Sequence, residues 1–205
     1  MKKQIYNLIA HSGIWFFNKF FPEYFAVEPL NPTDRHIEYP FIIENLPPPP
    51  AKILDVGCSG SLFPLILESL KYETYGIDIR EYSSPDRFFF TKGNICISPF
   101  KNDFFDIITA ISSIEHIGLK GVYGQQEILD GDEVALGEIY RILKPKGLLL
   151  MTVPISSNLR ITMNHKIYNQ QAIYHLLRKF DYEYQVKKSP EADYNIALIK
   201  AVKNG

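Results

Sequence analysis

Ile53-Leu54-Asp55-Val56-Gly57-Cys58-Ser59-Gly60-Ser61 is the stretch on which the reading of this chain turns. A short apolar run enters a turn of small residues, and Leu62-Phe63-Pro64-Leu65-Ile66-Leu67 leaves it. The segment therefore reads as a buried strand turning tightly into a helix. Gly57 and Gly60 carry no Cβ, so backbone there can approach a ligand closely. The helix start beyond them offers unpaired N–H groups and the positive end of its dipole. Further on, Glu73-Thr74-Tyr75-Gly76-Ile77-Asp78-Ile79 reads as a second strand with an acid at its C-terminal end. Asp78 follows the glycine turn by about 20 positions, the interval expected for a carboxylate that accepts hydrogen bonds from a ribose diol. Turn and acid together point to a nucleoside-like ligand.

Strand and helix patterns alternate beyond this point, as in a parallel sheet covered on both faces. Strands are expected near 52–57, 74–79, 87–91, 105–110 and 147–153, and helices near 61–71, 132–143 and 168–179. In the second of these helices Ala135, Leu136, Ile139, Ile142 and Leu143 share one face, and Pro145 with Gly147 ends it. Two last strands, near 181–188 and 194–201, are joined by Ser189-Pro190-Glu191-Ala192-Asp193. That link is too short for a crossover helix, so these two must run antiparallel.

A dinucleotide fingerprint requires Gly-x-Gly-x-x-Gly to admit a pyrophosphate. Here the second and third glycines are missing, and Asp55 precedes Gly57 by two positions. A carboxylate there repels a pyrophosphate but suits the ammonium and sulfonium of S-adenosylmethionine (SAM). From about Lys52 onward the chain resembles the class I SAM-dependent methyltransferases. Lys52 to Ser61 resembles that family's first motif, Gly76-Ile77-Asp78-Ile79-Arg80 its second, and Phe104 to Ala110 its fourth strand, leading into Ser112-Ser113-Ile114-Glu115-His116. Ala135 to Pro154, with the Leu143-Lys144-Pro145-Lys146-Gly147 turn, resembles its fifth helix–strand unit. Ser59 and Ser61 depart from the pattern, standing where the family commonly has glycine. The resemblance implies a Rossmann-like α/β fold: a seven-stranded, mostly parallel sheet with an antiparallel last strand and helices on both faces. A narrower similarity, carried by Ser113 to Gly118, Tyr123-Gly124, Asp130-Gly131-Asp132 and Asn164 to Tyr168, is to a subgroup associated with surface-polysaccharide and glycan assembly.

The family position of each residue implies its role. Asp55, Gly57, Cys58, Ser59 and Gly60 would face the methionine end of SAM, and Asp78 with Ile79 the ribose side. Asn94 and Ile95 would flank adenine, with Ser112 near the sulfonium. His116 and His165 are candidates for the base that takes the acceptor's proton, with Glu115 as alternative base or as the group that orients a histidine. The polar stretch Gly118 to Gly131 is longer than a routine connection and reads as an acceptor loop or lid, with Tyr123, Gln125, Gln126 and Asp130 as its polar contacts. Asn158, Arg160 and Tyr168 are weaker candidates on that side. No His, Cys or carboxylate cluster has metal-ligand spacing, so no metal is expected. The expected acceptor is a small molecule or glycan, through a hydroxyl; a nitrogen acceptor on a nucleoside or protein, or a non-catalytic SAM-binding partner subunit, are the alternatives.

A chain of 205 residues with 46% hydrophobic content can build one full sheet-and-helix core. A net charge of −1 with both signs interspersed argues against long nucleic acids as partners. Two cysteines give no disulfide framework, which fits a reducing cytoplasm. No secretory pattern and no apolar run near ~20 residues is visible. The tetraproline Pro47–Pro50 divides the chain into an aromatic-rich helical appendage or lid (1–46), a stiff spacer (47–51) and a SAM-binding domain (52–205). Trp15, Phe16, Phe17 and Phe20, with Lys2, Lys3 and Lys19, would suit a lid, a homodimer contact, or peripheral contact with a membrane or lipid-linked substrate.

Overall fold

The computed structural model describes residues 33–82 and 87–205. In chain order the elements are α1 (Arg35–Asn45), β1 (Lys52–Val56), α2 (Phe63–Ser69), β2 (Glu73–Asp78), β3 (Phe89–Lys92), β4 (Phe105–Ile111), α3 (Gly131–Ile142), β5 (Leu143–Ile155), β6 (Arg160–Ile161), β7 (Lys166–Ile167), α4 (Gln170–Leu176), β8 (Phe180–Lys188) and β9 (Asn195–Lys203). Seven strands form one sheet in the order β3-β2-β1-β4-β5-β9-β8, while β6 and β7 make a small separate ribbon. β1 to β5 pair in parallel, and β9 runs antiparallel to both β5 and β8. This is the expected Rossmann-like sheet with one reversed strand.

Alternation along the strands builds two cores. Leu54, Ile108, Leu149 and Ala197 face one side, against Ala135, Leu136 and Ile139 of α3 and Ile173 of α4. Their neighbours Ile53, Ile107, Leu150 and Leu198 face the other, against Phe63 and Leu67 of α2 and Phe41 and Ile42 of α1. Adjacent residues thus enter different layers, so near-continuous apolar runs are what a doubly covered strand requires.

Within the expected helical appendage, the sequence marks no helix at α1 (Arg35–Asn45) in particular. Pro40 lies inside it and Glu38 is wholly buried, so neither the helix-former pattern nor the apolar stripe stands out. The prolines that follow do not separate it from the sheet. Ile42 is 0% exposed within the second core, and truncating such a side chain to alanine costs about 2–5 kcal/mol. The spacer is not extended throughout, because the chain bends at Pro49 and Pro50. Tyr72 Oη donates to the Pro47 carbonyl at 2.5 Å, tying the spacer to the domain.

Most expected elements lie within a few residues of their places. β5 is longer than expected, Leu143–Ile155, because Pro145 and Gly147 fall inside the strand and Leu143 pairs with Phe105 before the ladder resumes at Leu148. The helix expected at 168–179 is only Gln170–Leu176, since Tyr168 is held in a bridge to Ile155 and Asn169 caps the helix through Ala172 N–H. The aromatic segment with Trp15, Phe16, Phe17 and Phe20 lies outside the described residues. Among the described residues no helix is long and apolar enough to cross a membrane.

Candidate active site

The strand order reverses at β1, whose two neighbours are β2 and β4. A crevice must open at the carboxyl ends there. It is a cavity of about 390 Å³.

One half of it is backbone. Gly57 and Gly60 adopt φ of +77° and +84°, the left-handed region that favours glycine. A Cβ on Gly57 would fall 2.6 Å from Ser113 Cβ, so the glycine lets the first turn lie directly on the loop after β4. The two serines that replace glycine tie the turn down. Ser59 Oγ donates to the Arg80 carbonyl at 3.3 Å, and Ser61 Oγ accepts from Phe63 N–H at 3.0 Å and bonds Tyr39 Oη of α1 at 2.8 Å. Gly57, Ser59, Gly60, Asp78, Ile79 and Ser112 all line the cavity, as do Asn94 and Ile95.

Asp78, 6% exposed, accepts Ser59 N–H at 2.9 Å on one oxygen and Arg80 N–H at 2.8 Å on the other. The Arg80 guanidinium also reaches both oxygens at 3.4 Å, so the carboxylate's roughly four acceptor sites are engaged and a diol would replace these long arginine contacts. The Arg80 guanidinium also donates to the Ser59 carbonyl at 2.6 Å and lies 4.2 Å from the Tyr123 ring centroid. Asn94 uses its side chain locally, accepting Cys96 N–H at 2.9 Å and capping a short turn.

Two expectations fail here. Asp55 does not line the cavity: it sits mid-sheet, paired with Gly76 and Thr109, and accepts the Thr109 hydroxyl at 2.7 Å. Burial pushes its carboxyl up to about 7. Cys58 does not line it either, because its side chain, 0% exposed, packs over Gly76, where a Cβ would lie 2.8 Å from Cys58 Sγ. Burial drives that thiol's pKa upward, away from the reactive thiolate.

The other half is made of side chains. Glu115, His116 and His165 all line the cavity. His116 Nδ1 faces the Asn164 carbonyl at 2.6 Å. A carbonyl only accepts, so Nδ1 carries the proton and Nε2 keeps its lone pair. Burial holds His116 below the usual imidazole pKa, in the neutral form a base requires. Glu115 is 4% exposed, and burial pushes its carboxyl up to about 8. Its Oε1 lies 3.9 Å from His116 Nε2, while Oε2 has no hydrogen-bond partner among the described residues. Ser113 Oγ and His165 Nε2 are likewise buried without partners, and all three residues line this one cavity.

The loop at 118–131 contributes less than expected. Tyr123 and Gln125 line the cavity, and Gln125 Nε2 donates to the His116 carbonyl at 2.5 Å; Gln126 and Asp130 do not line it. Asn158, Arg160 and Tyr168 are also outside the lining. Arg160 pairs with Asp193 at 3.2 Å, and Tyr168 is buried on Asp132 at 2.9 Å. Among the described residues, no group of three or more His, Cys, Asp or Glu is placed to hold a metal.

Several lining residues had no sequence signal. From α1 and the turn before it come Thr33, Asp34, Arg35 and Glu38. Glu38, 0% exposed, accepts the hydroxyls of Ser112 and Thr152, each at 2.5 Å, and the Arg35 guanidinium at 2.7 Å. Ser112 sits at φ +43°, so this carboxylate pins a strained backbone position at the end of β4. Glu191 and Tyr194 come from the β8–β9 connection. Topology could have found them. If the last strand is reversed, the turn leading into it must lie at the same end as the crevice.

Known proteins agree with this architecture. Residues 54–151 match the family model described as a methyltransferase domain. An uncharacterized protein of Methanocaldococcus jannaschii is 30% identical over 128 residues, 60% of this chain and 48% of that protein, so the chain spans about half the length of the curated relative it matches. A Burkholderia thailandensis 1,6-didemethyltoxoflavin-N1-methyltransferase, solved with 1,6-didemethyltoxoflavin and S-adenosylhomocysteine, superposes with TM-score 0.64 at 16% identity, covering 98% of this chain and 90% of that one. Haemonchus contortus phosphoethanolamine N-methyltransferase 2, solved with SAM, gives TM-score 0.66 at 15% identity, covering 95% and 57%. Likeness at such identities shows the fold. Residues 54–151 thus carry a methyltransferase-domain match on a fold shared with structures solved with SAM or S-adenosylhomocysteine. None of these matches supports the narrower likeness to a glycan-assembly subgroup.

Proposed function

We propose that the chain is a SAM-dependent methyltransferase acting on a small molecule, with cofactor and acceptor meeting in the cavity at the ends of β1, β2 and β4. One observation carries the reading. Asp78, the glycine turn and a base-ready histidine, from three separate segments, line the same cavity. The residues fit the cofactor. The Gly57 cradle leaves no room for a Cβ, and two of the four hydrogen bonds on Asp78 are long 3.4 Å contacts from Arg80 that a diol can replace. Asp78 would hold the ribose diol, the Gly57–Gly60 backbone the methionine end, and Ile79, Asn94 and Ile95 the adenine.

Bound SAM supplies a methyl carbon on a sulfonium whose sulfur leaves with the carbon–sulfur electron pair. What remains for the protein is alignment, worth up to ~7–11 kcal/mol, and removal of the acceptor's proton, worth about 10²–10⁴-fold. His116 Nε2, with Nδ1 fixed on Asn164, receives that proton. A hydroxyl and an amine can both surrender one to it. The charge of the cavity chooses between them, as argued below.

Titration calorimetry with SAM and with S-adenosylhomocysteine tests the reading. Micromolar binding is expected, weakened at least about tenfold by Asp78→Ala, in line with hydrogen bonds to a charged group. No binding by the native chain ends the proposal. Binding without methyl transfer to any hydroxyl or amine acceptor tried would make the chain a cofactor-binding subunit instead.

A further inference from the structure

Resting on that reading of the cavity, we propose that its acceptor is a small organic amine, admitted as the ammonium and recognised by Glu115, the Asp34–Glu191 pair and the rings that border them.

The charge census comes first. Five carboxylates line the cavity, those of Asp34, Glu38, Asp78, Glu115 and Glu191, against the guanidiniums of Arg35 and Arg80. Arg35 is engaged by Glu38 at 2.7 Å and Arg80 by Asp78 at 3.4 Å. Among the described residues, neither Asp34 nor Glu191 has a lysine or arginine within 4.0 Å, and Glu115 has only His116. Both histidines are held toward the neutral form by burial, so they add no compensating charge. Asp34 and Glu191 have hydrogen bonds that place them: Ser189 Oγ donates to Asp34 at 2.7 Å, and Asp34 N–H to Glu191 at 2.9 Å. Those bonds lock the start of α1 to the β8–β9 turn, but they leave two negative charges facing the cavity.

The second observation is independent of charge. Rings succeed one another along the cavity: Tyr194 to His165 at 5.5 Å, His165 to His116 at 6.0 Å, and His116 to Tyr123 at 5.4 Å between centroids. Aromatic faces beside carboxylates are how proteins hold organic ammonium groups. The third is Glu115 Oε2, buried on a residue that lines the cavity and without a hydrogen-bond partner among the described residues. Alone, this buried carboxyl keeps its proton up to about pH 8, and a cation beside it favours the ionised form. An ammonium donates and supplies the missing positive charge. One proton then passes from nitrogen to Glu115, or to His116 beside it, and the electron pair freed on nitrogen is the nucleophile. A carboxylate or phosphate acceptor would meet like charge, and a neutral alcohol would leave the charges uncompensated.

The test uses three molecules of one skeleton, benzylammonium, benzyl alcohol and benzoate, titrated into the full chain saturated with S-adenosylhomocysteine near pH 8.5. Benzylammonium should bind at least about tenfold more tightly than benzyl alcohol, a difference of about 1.4 kcal/mol, with benzoate weakest. Glu115→Gln should erase most of that preference. Glu191→Gln, an exposed change that spares the core, should reduce it about two- to threefold. Equal affinities, a preference for benzoate, or no binding of all three overturns the inference. A lysine peptide that binds where benzylammonium does not overturns the small-molecule assignment. Failure of S-adenosylhomocysteine to bind strikes the underlying reading instead, so the two failures are distinct.

Discussion

The two halves of the cavity are built on different principles. On the side proposed for the cofactor, the lining comes from two short segments, the Gly57–Ser61 turn and Asp78–Arg80, each at the end of its own strand. On the side proposed for the acceptor, the lining comes from side chains on α1, the loop after β4, the loop holding His165 and the β8–β9 turn, up to 157 positions apart in the chain. A backbone site is legible as a local pattern of small residues. A side-chain site exists only after the sheet has brought its parts together: Glu115, His116 and His165 are candidates from the sequence, but Asp34, Glu38 and Glu191 are not. The first half should break through a single added atom. The second should loosen by degrees.

Gly57→Ala should have the largest effect. It combines a positive φ, costing about 1–2 kcal/mol for a residue with a Cβ, with a methyl placed 2.6 Å from Ser113 Cβ. The affinity for S-adenosylhomocysteine should fall by roughly 100-fold, equivalent to about 2.7 kcal/mol. Gly124→Ala is the control. Its φ is also positive, +77°, but nothing lies within 4 Å of the new atom, so only the backbone cost applies. If both variants bind the cofactor alike, the first turn is not a steric cradle and the contrast between the halves fails.

Glu38→Ala comes next and asks whether α1 belongs to packing or to the site. The change strips Ser112 and Thr152 of their shared acceptor and removes the Glu38 contact from Arg35. Removing one member of a buried ion pair costs about 3–5 kcal/mol, less here because the Arg35 side chain is 32% exposed. A fall in Tm of roughly 5–10 °C is expected. Cofactor affinity should drop several-fold as well, since Ser112 loses the bond that fixes its left-handed backbone. A lower Tm with unchanged affinity would confine α1 to packing.

These cases show why one half could be read in advance. Gly57, Gly60 and Asp78 were legible because their chemistry depends on neighbours a few positions away. Asp55 misled for the same reason. Its spacing to Gly57 suits a sulfonium site, but whether a strand residue faces a ligand or a paired strand depends on its position in the ladder, and Thr109 lies opposite. Glu38 carried no signal, since a fully buried acid in a proline-containing helix contradicts every local rule until three partners from three segments are in place. Glu191 and Tyr194 were within reach. The antiparallel last strand was expected, and its consequence for where the β8–β9 turn lies follows from topology alone.

Glu115→Gln has the smallest effect on stability and the most informative shape. Burial raises the Glu115 carboxyl to about 8 from an ordinary value of 4.5, so the native state keeps a proton that the unfolded chain releases above 4.5. With more protons on the native state, stability declines as pH rises through that window, and the decline ends once pH passes the folded value. Asp55 behaves alike, but its folded value is about 7, so between pH 7 and 9 the remaining slope is mainly that of Glu115. One unit of separation corresponds to about 1.4 kcal/mol. Thermal denaturation of the native chain from pH 7 to 9 should therefore show a fall in Tm roughly 3–5 °C larger than that of Glu115→Gln. Adding a saturating amine acceptor should shrink that difference, because an ammonium beside Glu115 favours its charged form. A difference that persists unchanged under saturating benzylammonium would place the ammonium elsewhere in the cavity, and the acid-and-aromatic half would then be a structural feature of the fold.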